Sequence, residues 1–304
     1  VAGQARSVRI EAAAIEAYAA GIPAAAGQVI GGDDDLLGPG PGINGEARAA
    51  FAVCLNAINF GSGWWPTIRK RSGHSGFFTV AAGLSERFRD QGAWSAAELT
   101  DLGPSDLAAV LDQDRGHPLM AQFAASLRDV GAHLEAEHEG RFTTAIDSVA
   151  GSAPVLAALF AGWGAFADVS IYRECEVPFF KRAQLAAADV ARAGVADLHD
   201  LARLTAFADN LVPHVLRLDG VLQLDPDLTA RIEAGKLLAH GSPEEVELRA
   251  CAVHAVELLV AARAAARAGE PALTAAEVDS ALWNRGRQPR YKALPRPRSC
   301  NTAY

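Results

Sequence analysis

Along most of the chain, alanine and leucine recur at helical spacing and β-branched alternation is scarce, a pattern that predicts a mostly α fold. Three helix starts are spelled out as capping boxes: Ser95-Ala-Ala-Glu98, Ser242-Pro-Glu-Glu245 and Thr274-Ala-Ala-Glu277. In such a box the hydroxyl accepts from the amide three residues on, and the Glu reaches back to the cap amide. Pro243 takes the first helical position, where a missing N–H costs nothing. The helix it opens is expected to run to about Ala268 and stop at Gly269-Glu270-Pro271. Further helices are predicted over 179–193, ended by Gly194, and over 197–209, before Val212-Pro213. Residues 77–80, FFTV, read as a short strand, and the Gly- and Pro-rich stretch 31–45 as a loop without a nucleotide-binding glycine pattern.

Composition narrows the class. The 304 residues are 50% hydrophobic, with 36 acidic against 28 basic side chains, a net charge of −8 and a pI near 5.5. That is enough apolar material for a well-buried core, and the charge per residue is too small for a disordered chain. An acidic surface also argues against general nucleic-acid binding, whose phosphate contribution requires cations. Cys54, Cys175, Cys251 and Cys300 form no CxxC pair, so neither a disulfide scaffold nor a zinc site is expected. Residues 1–10 lack the apolar run of a secretory signal. Residues 148–167 carry no charge, but Gly151, Pro154, Gly162 and Gly164 interrupt them and Asp147 and Asp168 flank them. They read as a buried helix plus loop rather than a membrane span, and the protein as cytoplasmic.

Five places carry candidate chemistry. His133 and His138 are five apart, on different helix faces, and do not make the HExxH metal pattern. Asn56-Ala-Ile-Asn59-Phe60-Gly-Ser-Gly-Trp64-Trp65 is either a core-packed helix end or a wall of aromatics and amides for a flat heterocycle. Phe179-Phe180-Lys181-Arg182-Ala-Gln184 sets two cations on an apolar background, where a lysine either snorkels outward or is held for an anion. Asp209, in Thr205-Ala-Phe207-Ala-Asp209-Asn210-Leu-Val-Pro213, is expected at a helix C-terminus, an unfavourable place for a carboxylate, which suggests either catalysis or a structural cap. Glu245-Val-Glu247-Leu-Arg249 contains an i,i+4 Glu–Arg pair that a solvated helix face would also explain. Residues 284–304 hold six basic side chains, no acid and three prolines, and are expected to be extended: a disordered arm, a nucleic-acid contact or a strap over an anionic ligand.

Taken in order, LNAINF, FFKRAQ, LTAFADNLVP, GSPEEVELRA and the terminal LW with its basic tail resemble the queuosine salvage protein family, over roughly residues 46–304 and most strongly over 179–256. The resemblance implies a single globular helical domain, 46–304, similar to helix-hairpin-helix DNA glycosylases, with residues 1–45 packed on it as an N-terminal helix and loop. It implies hydrolysis of the N-glycosidic bond of queuosine 5′-monophosphate, releasing queuine for tRNA modification, with no metal or organic cofactor. The expected partner is this small nucleotide, with no stable nucleic-acid binding, no membrane and a monomeric state. By resemblance the key acid is Asp209, with Lys181 in the same site. Many members follow the FAD motif with Tyr-Arg, where this chain has Asn210-Leu211.

Cleaving such a bond develops positive charge on the ribose, which a carboxylate such as Asp209 stabilises. The departing 7-deazaguanine has carbon at position 7 and cannot be activated by protonation there. Glu245 and Glu247 are therefore candidates for its other edges or its cyclopentenediol amine, Phe60, Trp64 and Trp283 for stacking, and Asn59, Asn210 and Arg249 are further candidates for binding substrate. Lys181 suits the phosphate, or holds Asp209 ionised, and Arg298 would add bidentate contacts. Two other functions compete: a glycosylase acting within nucleic acid, and a non-catalytic module that binds queuine or a nucleotide.

Overall fold

Residues 1–23, 38 and 43–304 are described in the computed structural model, so the loop expected over 31–45 lies almost wholly outside the described residues. The first described elements are β1 (Val8–Ile10) and α1 (Ala12–Ala20). Eight helices follow: α2 (Gly45–Ala57), α3 (Gly76–Gln91), α4 (Ala96–Asp101), α5 (Pro104–Val110), α6 (Pro118–Glu137), α7 (Phe142–Asp147), α8 (Ala153–Ala161) and, after the hairpin of β2 (Val169–Tyr172) and β3 (Cys175–Pro178), α9 (Lys181–Arg192). The remainder comprises α10 (Leu211–Leu218), β4 (Leu222–Leu224), α11 (Pro226–Glu233), α12 (Pro243–Ala266), α13 (Ala275–Gly286) and α14 (Pro289–Lys292). The fold is mostly α, as the spacing of alanine and leucine predicts. Among the described residues no helix is long and apolar enough to cross a membrane.

Local signals hold where they depend on neighbouring residues. The capping boxes at Ser95 and Thr274 are complete. At α12 only half of one forms: Ser242 Oγ accepts from the Glu245 amide at 3.4 Å, while Glu245 Oε2 accepts from the Gly241 amide instead. The apolar stretch 148–167 becomes α8 and a buried turn, as expected. Three expectations fail. Residues 77–80 lie inside α3, because Ser75 caps that helix by accepting from the Phe78 amide. Residues 197–209 hold only one 3-10 turn, Leu201–Arg203, and the next helix starts after Asp209. In the tail, 284–286 finish α13 and 289–292 form one turn, with Pro289 at its start.

The helices bury two apolar cores. One is built from α2 to α9, and Gly131 lets α6 approach α4 closely: a Cβ there would sit 2.6 Å from the Ala96 carbonyl oxygen. The other joins α10 to α14 with the first described segment, through Val8, Ile15 and Ala19. That segment is fastened twice. β1 pairs antiparallel with β4 in the register Val8↔Leu224. Buried Glu247 of α12 accepts the amides of Arg6, Ser7 and Val8 on one oxygen, and the Tyr172 hydroxyl on the other. The seam between the two cores is where the site lies.

Candidate active site

A cleft of about 1610 Å³ opens between the cores. Its described walls come from α2 and the turn after it, α3, α9, the stretch before α10, α13 and residues 292–304.

Residues 204–210 are not helical because their backbone groups are bonded by side chains from elsewhere in the fold. Gln184 of α9 brackets Thr205, accepting its amide at 2.8 Å and donating to its hydroxyl at 3.0 Å. Asp279 of α13 accepts the Phe207 amide at 3.0 Å. Arg249 of α12 donates Nε–H to the Ala208 carbonyl at 2.9 Å. Asn210 donates to the Pro297 carbonyl at 2.8 Å. Asp209 is left at the head of α10, where its Oδ1 accepts the amides of Leu211 and Val212. This corrects the placement expected from the sequence: the carboxylate sits at the favourable, positive end of a helix.

The KRAQ segment joins the other motifs to this stretch. Lys181 Nζ donates to the Asn59 carbonyl at 3.2 Å, and Arg182 to that of Ala57 at the end of α2. Asp168 holds the start of α9: its carbonyl accepts the Phe179 amide, its Oδ2 that of Lys181. Phe180 between them takes a left-handed conformation, φ 49°, which this bonding maintains. Lys181 is 5% exposed, and burial pulls its ammonium down to about 8, with the nearby charge of Asp209 the largest opposing influence.

The structure thus brings Asp209 and Lys181 into one cleft, together with Asn59, Phe60, Asn210, Trp283 and Arg298. Four expected substrate contacts do not line it. Trp64 packs against the core while its neighbour Trp65 takes the wall. Glu247 is spent on the first described segment. Arg249, 1% exposed, donates to both Asp168 oxygens at 2.9 and 2.7 Å, between the rings of Phe179 and Tyr304. Glu245 lies 3.7 Å from Arg249 Nη1 and is buried with it. The motif orders the site from behind. Arg298 also donates to the Gly235 carbonyl, and Asn210 is turned to the strap. Leu211, the next residue, fills the space over Gly286, its Cδ1 only 2.7 Å from where a Cβ would stand.

Residues 293–304 fold back along the cleft as a strap rather than standing off as a disordered arm. The Ser299 carbonyl accepts from the Gly63 amide, the Arg298 carbonyl from that of Leu238, and the Tyr304 carbonyl from that of Gly61. Arg296, Arg298 and exposed Lys292 line the cleft, as do the aromatics Trp65, Phe77 and Trp283. Phe77 meets Trp283 edge-on at 6.0 Å. The His133–His138 helix has a different use: His133 stacks on Trp163 at 5.2 Å and bonds Glu137.

Sequence reading passed over Asp279. It lines the cleft, is 5% exposed, and burial followed by repulsion from Asp209 raises its carboxyl well above the ordinary range. Its signal was present: an acid on the helix stripe of Ala275, Val278, Leu282 and Gly286 is an acid on the buried side.

A profile of the family described as queuosine salvage protein matches residues 41–303. A Sphaerobacter thermophilus protein named queuosine 5′-phosphate N-glycosylase/hydrolase is 35% identical over 269 residues, covering 85% of this chain and 82% of its own. One of the same name from Dictyostelium discoideum is 29% identical over 266 residues, covering 85% and 79%. A third, from Bos taurus, is 28% identical over 195 residues, covering 61% and 57%.

Proposed function

Because this chain belongs to the queuosine salvage protein family, we propose that it hydrolyses the N-glycosidic bond of queuosine 5′-monophosphate, releasing queuine and ribose 5-phosphate. The observation that carries this reading is the meeting of Asp209 and Lys181 in a cleft that aromatics and strap cations also line. The base stacks at Trp283 and Phe77. The ribose lies with its anomeric carbon toward Asp209, whose carboxylate stabilises the positive charge that develops as the bond breaks. The Lys181 ammonium faces the charge of Asp209, and the phosphate is taken by Arg296, Arg298 and Lys292. With the tail's six cations set aside, residues 1–283 hold 22 basic against 36 acidic groups, a charge of −14 that favours a single nucleotide over a polynucleotide. The same reading makes the protein a cytoplasmic monomer without stable nucleic-acid binding, its helices arranged like those of helix-hairpin-helix glycosylases.

The test is incubation with queuosine 5′-monophosphate, queuosine and guanosine 5′-monophosphate, with the released base identified by mass. Queuine should appear fastest from the first; release from none of the three overturns the proposal. The position of Lys181 adds a pH signature. Its ammonium is lost near pH 8, so base release followed from about pH 6 to about pH 10 should fall on the alkaline side. Lys181→Arg, whose guanidinium stays charged, should carry that fall upward by more than about one pH unit. A fall that does not move belongs to another group. Stability responds with the opposite sign: the unfolded lysine holds its proton to 10.5 and the folded one only to about 8, so the cost of burial disappears as pH rises across that interval.

A further inference from the structure

From the placement of Asp279 we infer that it is the proton donor of the reaction, passing its carboxyl proton to the departing base while Asp209 serves the ribose. The inference rests on the proposed hydrolysis. Asp279 and Trp283 are four residues apart on α13 and so share one helix face, about 6 Å apart along its axis. Both line the cleft, so the acid stands one turn from the ring on which the base stacks. Its Oδ1 accepts the Phe207 amide, two residues before Asp209, which fixes the two carboxyls relative to each other. The charges acting on Asp279 are those of Asp209, from the head of α10, and Lys181, from α9; Arg296 of the strap acts in turn on Asp209. Burial and Asp209 both favour the protonated form, and Lys181 opposes them. A buried carboxyl whose surroundings favour the protonated form, held in one cleft with a second acid, is the arrangement that acid-assisted glycosyl cleavage needs.

The step balances. The C1′–N bond breaks with its electron pair going to the base, and a ring nitrogen or the carbonyl oxygen of the base takes the Asp279 proton. Water adds its oxygen to C1′ and gives up a proton, which restores the Asp279 carboxyl. Because position 7 of the base is carbon, an acid placed for its remaining edges does what protonation at position 7 cannot.

Asp279→Asn separates this role from a structural one. The amide oxygen still accepts the Phe207 amide and the shape of the side chain is kept, while the transferable proton is gone. With queuosine 5′-monophosphate, kcat should fall about 10²- to 10³-fold, KM should stay within about threefold and Tm should not fall. Asp279→Glu should recover at least about tenfold of the Asn loss. Retention of kcat by the Asn variant overturns the inference. So does a loss carried by KM, or one that Glu does not relieve. Wild-type protein that releases no queuine defeats the proposed function itself; wild-type release matched by Asp279→Asn defeats this inference alone.

Discussion

Asp209→Asn is expected to lower kcat on queuosine 5′-monophosphate by about 10⁴-fold or more, close to 5.5 kcal/mol of transition-state stabilisation, in a protein that stays folded. The substitution changes little else. Asn oxygen can accept the same two amides, of Leu211 and Val212, that hold Asp209 at the head of α10. The bonds fixing residues 205–210 do not involve the Asp209 side chain, so the loop keeps its path. What disappears is the negative charge facing Lys181 and, in the proposed reaction, the ribose. Removing it also takes away the largest influence that supports the buried Lys181 ammonium, so the Lys181 proton is lost at a lower pH than in the wild type. Single-turnover base release, with calorimetry to show that the variant binds the nucleotide, checks this. Turnover above about 1% of wild type would take Asp209 out of the mechanism.

Arg249→Met should cost stability rather than contact with substrate, by about 3–5 kcal/mol, or roughly 10 °C in Tm. The guanidinium is sealed between Phe179 and Tyr304 and bonded to Asp168 and the Ala208 carbonyl. Methionine fills much of the volume but takes three charge-assisted bonds from the region and leaves the buried Asp168 carboxylate with the Lys181 amide as its remaining hydrogen-bond donor. The damage spreads to the reacting groups from two sides. Asp168 receives the Lys181 amide, and Ala208 precedes Asp209, so one substitution loosens both ends of the proposed pair. Urea melts together with kcat at low temperature separate the two effects. A melt within about 1 kcal/mol of wild type would mean that the bracket is not structural.

Legibility in the sequence tracked the distance over which each bond acts. The caps at Ser95 and Thr274 close within three residues and could be read directly. Residues 204–210 could not, because Gln184, Arg249, Asp279 and Pro297 that hold them come from 21 to 87 positions away. A pattern rich in alanine and leucine then reads as helix by default. The E-x-E-x-R run was placed in the right region but given the wrong task. Glu245 and Arg249 lie four apart on one face of α12 and turn to Asp168 and Tyr304; Glu247, two residues from each, projects elsewhere and meets the first described segment. The resemblance supplied Asp209 and Lys181, while Asp279 had only its place on the apolar stripe of α13 to mark it.

The strap that finishes the cleft also orders the site in time. Its bonds to Ser62 and Gly63 span more than 200 positions, and Glu247 reaches back a similar distance to Ser7. Contacts so remote in the chain carry a large loop-closure entropy and form late in folding. On the ribosome, most of both cores can be translated while the wall bearing Arg296 and Arg298 is still unmade. In the proposed reaction, a nascent chain therefore has Asp209 before it has the phosphate pocket, and glycosyl-bond cleavage waits until residues 296–304 have docked.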